Sequence, residues 1–467
     1  MSAKVSGSEN RRTMMLEGSI YRVIPIIAVP MIISMLIDNI YNMTDTFFVS
    51  QLGRTAVAAV GVNDSLLNYM RALSMGFGAG AASVLSRLLG ARKDQQASQV
   101  ATTTLYTAIG LLTLAAAVAY VFVGPMVTLL GATETVKPYS VDYARFILLS
   151  APFTAGEVVC SFLLRSEGAA KLSMIGTCSG CIINVALDPL LITGCSLGVA
   201  GAAIATTIAK VVSFAILITP FIRKKTMLVI GRRYFCPRWS TYSEVIKMGL
   251  PTFLRSALMT SSWVVMNNIA GDFSDAALAA VSISKKTMGF VASAVMGFGQ
   301  GYQPLAGFCW GAGKYDRVRE SFRICTIIGW IGSVVLGVGM GLLSRQLVLL
   351  FTTPDETEIV RLGTIMIVSQ CAVLIPHTWG VIINGLCQAI GHPIYSMLVG
   401  LSRNFICLIP SILVLSHFFG VDGLALSNAA GDALSLLICI PIVIALLREC
   451  KAFAAGTAAA ADQTAQP

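Results

Sequence analysis

The chain repeats itself at a fixed shift of 221 residues, without a gap, across its most patterned stretch. Pro30 returns as Pro251, and Ala58-Ala59-Val60 as Ala279-Ala280-Val281. The glycine run Gly76, Gly78, Gly80 returns as Gly297, Gly299, Gly301, and Gly90-Ala91-x-Lys93 as Gly311-Ala312-x-Lys314. Further along the shift drifts by a residue or two, so that Gly198-Val199-x-Gly201 matches Gly420-Val421-x-Gly423. The repeated unit is strongly apolar. Hydrophobic residues make up 55% of the chain and charged residues 12%, against about 25% charged in ordinary globular proteins. Internal repeats in so apolar a chain point to a membrane transporter.

A crossing of the hydrocarbon core needs about 20 mostly apolar residues. By that length, spans fall near 21–49, 56–86, 99–123, 140–164, 170–193 and 198–222, then near 243–270, 276–309, 319–343, 360–390, 394–416 and 423–447. The expected fold is an all-α integral membrane protein with twelve transmembrane helices in two six-helix repeats. The divisions are a cytoplasmic N-terminal segment 1–20, an N-lobe 21–222, a basic linker 223–242, a C-lobe 243–447 and a disordered tail 448–467. The first twelve residues are polar and lack the apolar core of a signal peptide, so the first span is expected to direct insertion.

Lysine and arginine set the orientation. Twenty-one of them fall in the terminal segments and loops of one side, including Arg11, Arg12, Arg92, Arg223, Lys224, Arg232 and Arg317. The other side holds five, Arg54, Lys137, Arg145, Arg345 and Arg361. Both termini and the linker are therefore expected in the cytoplasm, and an even six spans per half makes the repeats parallel. The net charge of +10 is spread over these loops with no aromatic-studded basic patch, which argues against nucleic acid. The basic linker contacts membrane lipid headgroups as ordinary positive-inside anchoring.

Charges inside a span are costly, about 2.5–3.5 kcal/mol each on insertion scales, and usually face a cavity or a partner. Ser34, Asp38, Asn42 and Asp45 form one stripe of the first span at helical spacing. Asn184 and Asp188 stand four apart in the fifth span, and Thr206, Lys210 and Ser213 share a face of the sixth. Asp45 and Asp188 each lie five residues short of the outer ends of their spans, and Thr206 slightly deeper. This predicts a polar pocket of three helices, in which paired carboxylates take up and release a proton near neutral pH. Asp38, Asn42 and Lys210 would extend it as a further polar cavity. The second lobe does not repeat the set: at the 221 shift Asp38 becomes Met259 and Asp45 becomes Met266. An Arg–Asp structural pair is the expected account of most of its charges. No ATP-binding loop, metal-ligand spacing or nucleophile–base set occurs, so no cofactor, metal or enzymatic activity is expected.

Several ordered motifs resemble the multidrug and toxic compound extrusion (MATE) family. They are Val29-Pro30-Met-Ile-Ile-Ser34, Tyr41-Asn-Met-Thr-Asp45, Asn184-Val-Ala-Leu-Asp188-Pro189 and Gly198-Val-Ala-Gly-Ala-Ala-Ile-Ala-Thr206. The resemblance covers residues 15–447 and is nearest the DinF- or MepA-like branch. It implies two lobes around a central cavity and cation-driven export of amphipathic or cationic xenobiotic compounds across the bacterial inner membrane by a monomer. By the same resemblance Asp45, Asn184, Asp188 and Thr206 carry the coupling ion, H+ or Na+, and Pro30 allows the first helix to bend. Absence of matching acidic residues in the seventh and tenth helices favours protons. The alternative in the same superfamily is a flippase for a lipid-linked precursor.

Overall fold

The computed structural model describes residues 2–195 and 197–464. Residues 1 and 465–467, the outer ends of the two expected terminal segments, lie outside them. Among the described residues the regular structure is all helical, as an apolar environment demands: with no water to bond, backbone groups must pair within their own segment.

The helices follow in chain order. The first nine are α1 (Ser2–Glu17), α2 (Ile20–Ser50), α3 (Arg54–Gly90), α4 (Asp94–Val121), α5 (Val123–Leu129), α6 (Lys137–Leu149), α7 (Ala151–Ser166), α8 (Ala170–Pro189) and α9 (Gly198–Ile222). After the linker come α10 (Trp239–Phe273), α11 (Asp275–Gly311), α12 (Tyr315–Leu342), α13 (Ser344–Leu349), α14 (Thr357–Ala372), α15 (Leu374–Ile390), α16 (Pro393–Leu401) and α17 (Leu408–Thr464). Among the described residues seven helical stretches are long and apolar enough to cross a membrane, or nine if each of two bent pairs is one crossing. The pairs are α6 with α7, bent by 49°, and α14 with α15, bent by 53°. A proline sits just beyond each break, Pro152 in α7 and Pro376 in α15, where its missing N–H releases a backbone bond. The last stretch, Pro393–Ala455, contains a break at Gly420, whose φ of 60° and ψ of −138° are not helical. Helix α17 continues to Thr464, through the tail expected to be disordered. Alanines dominate there, and alanine is the best helix former.

Chain contacts divide the molecule into two units. Unit 1 holds Met1–Glu17 and Ile33–Gly249, and unit 2 holds Gly18–Ile32 and Leu250–Pro467. The divisions therefore fall inside α2 and α10, and not at the linker where the repeat suggested them. Glycines explain why. In unit 2, a Cβ on Gly301 of α11 would lie 2.6 Å from Ala28 Cα, and one on Gly297 2.7 Å from Ile32 Cα. In unit 1, a Cβ on Gly80 of α3 would lie 2.1 Å from the Val245 carbonyl oxygen, and one on Gly249 2.2 Å from that of Gly76. Only hydrogen fits between these backbones, the way small residues bring membrane helices close. The paired glycine runs thus seat the start of α2 on α11 and the start of α10 on α3.

The two cores carry the repeat in their packing. Val49, Ala56, Ala59, Val60 and Met70 lie in the buried cluster of unit 1. Their counterparts at the 221 shift, Ala270, Ala277, Ala280, Val281 and Val291, lie in that of unit 2.

A candidate cation-coupling site in unit 1

Asn184 and Asp188 sit one turn apart on α8, and Thr206 faces them from α9. All three are buried. With its amide turned to match its neighbours, Asn184 donates to Asp188 Oδ2 at 2.9 Å and accepts from the Thr206 backbone N–H at 3.1 Å. The reverse orientation sets acceptor against acceptor and leaves only a 3.3 Å contact from its nitrogen to Thr206 Oγ1. Beyond Asp188, the backbone widens into a π-helical turn over Leu190–Gly194, a distortion common beside functional residues.

Asp45 of α2 lies within electrostatic range of Asp188, and also of Asp64 on α3. Tyr41, one turn before Asp45, lies beside the Thr206 side chain. The ring of Tyr143 on α6 is buried within reach of the charges of Asp45, Asp64 and Asp188. Asp45 Oδ1 and Asp188 Oδ1 are buried and accept no hydrogen bond. Neither aspartate makes an ion pair among the described residues. A buried acceptor without a partner is costly, and a proton or a cation bound there would satisfy it.

The other polar residues of this region behave differently. Asp38 forms an ion pair with Arg71 of α3 at 2.5 Å. Lys210 of α9 pairs with Glu157 of α7 at 2.9 Å, and Ser213 donates to Glu157 Oε1 at 3.1 Å. The charges of Asp38 and Lys210 also act on each other. Two carboxylates and two cations thus form a balanced cluster. Asn42 turns back on its own helix and donates to the Asp38 carbonyl at 2.6 Å, while Ser34 and Thr177 bond at 2.7 Å. The geometry therefore joins Asn184, Asp188 and Thr206 directly, adds Asp45 through space, and gives Asp38 and Lys210 separate partners.

Arg71, Glu157 and Tyr143 were not expected at the site, whereas Asp64 was the next candidate after Asp45. The signal for the first two was present, since each is an ionisable residue inside an apolar span. In unit 2, Arg403 pairs with Asp432 and donates to His377 Nε2 at 2.9 Å, so the expected Arg–Asp pair exists. His377 Nδ1 lies 3.5 Å from Asp432, and His392 Nε2 lies 2.9 Å from Glu449.

Known proteins resemble this chain in sequence and in fold. The MatE family profile matches residues 30–190 and 251–414, one segment in each half of the repeat. The chain is 27% identical over 423 residues to the multidrug export protein MepA of Staphylococcus aureus (strain MSSA476), covering 90% of this chain and 93% of that one. It is 27% identical over 432 residues to MepA of Staphylococcus haemolyticus (strain JCSC1435), covering 92% and 94%. Among solved structures it is similar to a MATE protein in complex with MaL6, with a TM-score of 0.89, 22% identity and coverage of 94% and 98%. An outward-facing multidrug resistance MATE family transporter matches with a TM-score of 0.88, again at 22% identity and with coverage of 94% and 98%. With both halves of the repeat matched, the chain belongs to the MatE family, whose members are membrane transporters and not enzymes.

Proposed function

We propose that the chain is a proton-coupled secondary antiporter that exports amphipathic or cationic drug-like compounds across a bacterial inner membrane. The observation that carries this reading is the charge imbalance of unit 1. Among the described residues Asp45, Asp64 and Asp188 form no ion pair, whereas Asp38 and Glu157 are matched by Arg71 and Lys210. A fixed ion pair cannot exchange its charge cheaply, but an unmatched carboxylate beside an Asn–Thr hydrogen-bond relay can. Asp45, Asn184, Asp188 and Thr206 are the coupling residues in this reading, with Asp64 and Tyr41 in support. The multidrug export activity in the names of the staphylococcal relatives supports the substrate class.

Twelve crossings accommodate the helices. Helices α10 and α11 join the nine because Glu244, Lys247 and Arg255, and Lys285 and Lys286, lower their apolar score without shortening them. The break at Gly420 divides the final stretch in two. Both termini and the linker lie in the cytoplasm, following the basic residues of the loops. Pro30, inside α2 and three residues before the division between the units, permits the bend by which protonation at Asp45 alters the helix.

Purified protein in liposomes tests the reading. An imposed proton gradient should drive movement of a cationic dye such as ethidium, and a sodium gradient of equal size should not. Dye movement under sodium alone would overturn proton coupling, and no movement under either would overturn antiport.

A further inference from the structure

Unit 2 holds a cavity that the coupling site does not use. A small, partly open cleft lies between α10, α15, α16 and α17, bordered by Arg255, Gly380, Asn384, Val399, Arg403 and Asn404. Its polar groups are mostly committed. Arg403 donates through Nε to Asp432 and through Nη1 to His377. The Asn384 amide donates to the Ser396 carbonyl at 2.8 Å and accepts from Gln388 at 2.7 Å. Asn404 donates to the Gly400 carbonyl at 3.0 Å.

Arg255 is the exception. Its one acceptor among the described residues is the thioether sulfur of Met296, 3.5 Å from Nη1, and sulfur is a weak acceptor. The neighbouring charge is Arg403, of the same sign, and Asp432 already serves Arg403. The cavity wall therefore carries one positive charge more than it can balance, well inside an apolar helix. An arginine is retained at such depth when it faces a cavity and a partner, and here none of the described residues supplies a charged partner. A guanidinium offers a planar fork of N–H donors that fits a carboxylate with two parallel bonds. Around it, Pro376, Val381 and Val399 present apolar surface.

We propose that this cavity binds a small amphipathic carboxylate, its head held by Arg255 and its apolar body by the adjoining wall. It is a second site, formed entirely within unit 2, and it does not depend on cation coupling in unit 1. A phosphate head group of an anionic lipid presents the same oxyanion chemistry, so the test separates the two sources.

Equilibrium dialysis of the full-length protein in phosphatidylcholine nanodiscs, with 2-naphthoate and 2-naphthylmethylammonium as matched probes, provides that test. Arg255→Gln should weaken 2-naphthoate at least about tenfold, the usual scale for losing a charged hydrogen bond, and leave the ammonium probe unchanged. Gly380→Leu reaches the same end with Arg255 in place. A Cβ there meets only Cys439 Sγ at 4.0 Å, so the larger side chain enters the cavity and should also displace 2-naphthoate. Naphthoate binding in both variants equal to that of the parent would overturn the site, as would equal loss of both probes. Loss of 2-naphthoate binding by the parent when phosphatidylglycerol is added to the nanodiscs would assign the cavity to a lipid head group and overturn the soluble ligand.

Discussion

Lys210 is held by Glu157, not by the aspartates of the α2–α8 pocket: its Nζ lies 2.9 Å from Glu157 Oε2. It stands four residues from Thr206 on the same helix, yet it pairs with Glu157 and with neither Asp45 nor Asp188. Removing one partner of a buried pair leaves the other uncompensated and costs about 3–5 kcal/mol, whereas replacing both is often nearly neutral. Glu157→Gln should therefore lower the thermal midpoint of the purified protein markedly. Glu157→Gln with Lys210→Met should recover most of the loss and retain proton-driven efflux. A double variant as unstable as the single would show that the pair is not the unit.

The glycine seats predict a second effect. Gly301→Val would place a Cβ 2.6 Å from the Ala28 backbone, which cannot move aside as a flexible side chain would. Overpacking of this kind costs about 1–3 kcal/mol, so the detergent-solubilised variant should melt below the parent. Gly332 on α12 has nothing within 4 Å of a Cβ, and Gly332→Val should melt with the parent. Identical midpoints for the two variants would contradict the packing reading.

A pH dependence follows at the end of α7, outside the spans. Glu167 is fully buried, and its Oε2 accepts from the Met227 N–H at 2.6 Å and more weakly from the Leu228 N–H at 3.4 Å. Burial pushes its carboxyl up to about 7, while the Arg11 charge and the two N–H groups pull it down. The docked state thus keeps a proton that the undocked state has released. Linker docking should be strongest at the acid end, near the ordinary glutamate value, and weaken as pH rises through about 7. Amide exchange at Met227 and Leu228, corrected for intrinsic base catalysis, should accelerate from pH 6 to pH 8 in the parent and stay flat in Glu167→Gln. The same acceleration in both proteins would remove Glu167 from the linkage.

Orientation has a direct test. In a cysteine-free background, a cysteine at position 355 should react with an impermeant maleimide added to intact cells, and one at position 232 should react only after lysis. Reaction of position 232 from outside would reverse the topology.

The helices were legible because the chain's apolar runs are long and cleanly bounded by charge. The Asn184–Asp188–Thr206 contact was legible because helical spacing and equal depth put those residues on facing turns. What escaped was partnership across distance. The pairing of Arg71 with Asp38 and of Glu157 with Lys210 depends on tertiary packing. Glu167 clamps backbone N–H groups about sixty residues away, and no side-chain pattern marks such a bond. The division inside α2 was hidden because Gly297 and Gly301 read as generic helix packing until Ala28 and Ile32 appeared against them.

The claim that Asp45 carries the coupling proton is tested most directly by proton movement during transport. Liposomes containing a trapped pH-sensitive dye and the reconstituted protein report protons moved as ethidium crosses. The parent should move protons opposite to ethidium. Asp45→Asn, which keeps size and hydrogen bonding, should bind ethidium and remain folded but move no protons. Proton counter-movement in Asp45→Asn equal to that of the parent would contradict the assignment.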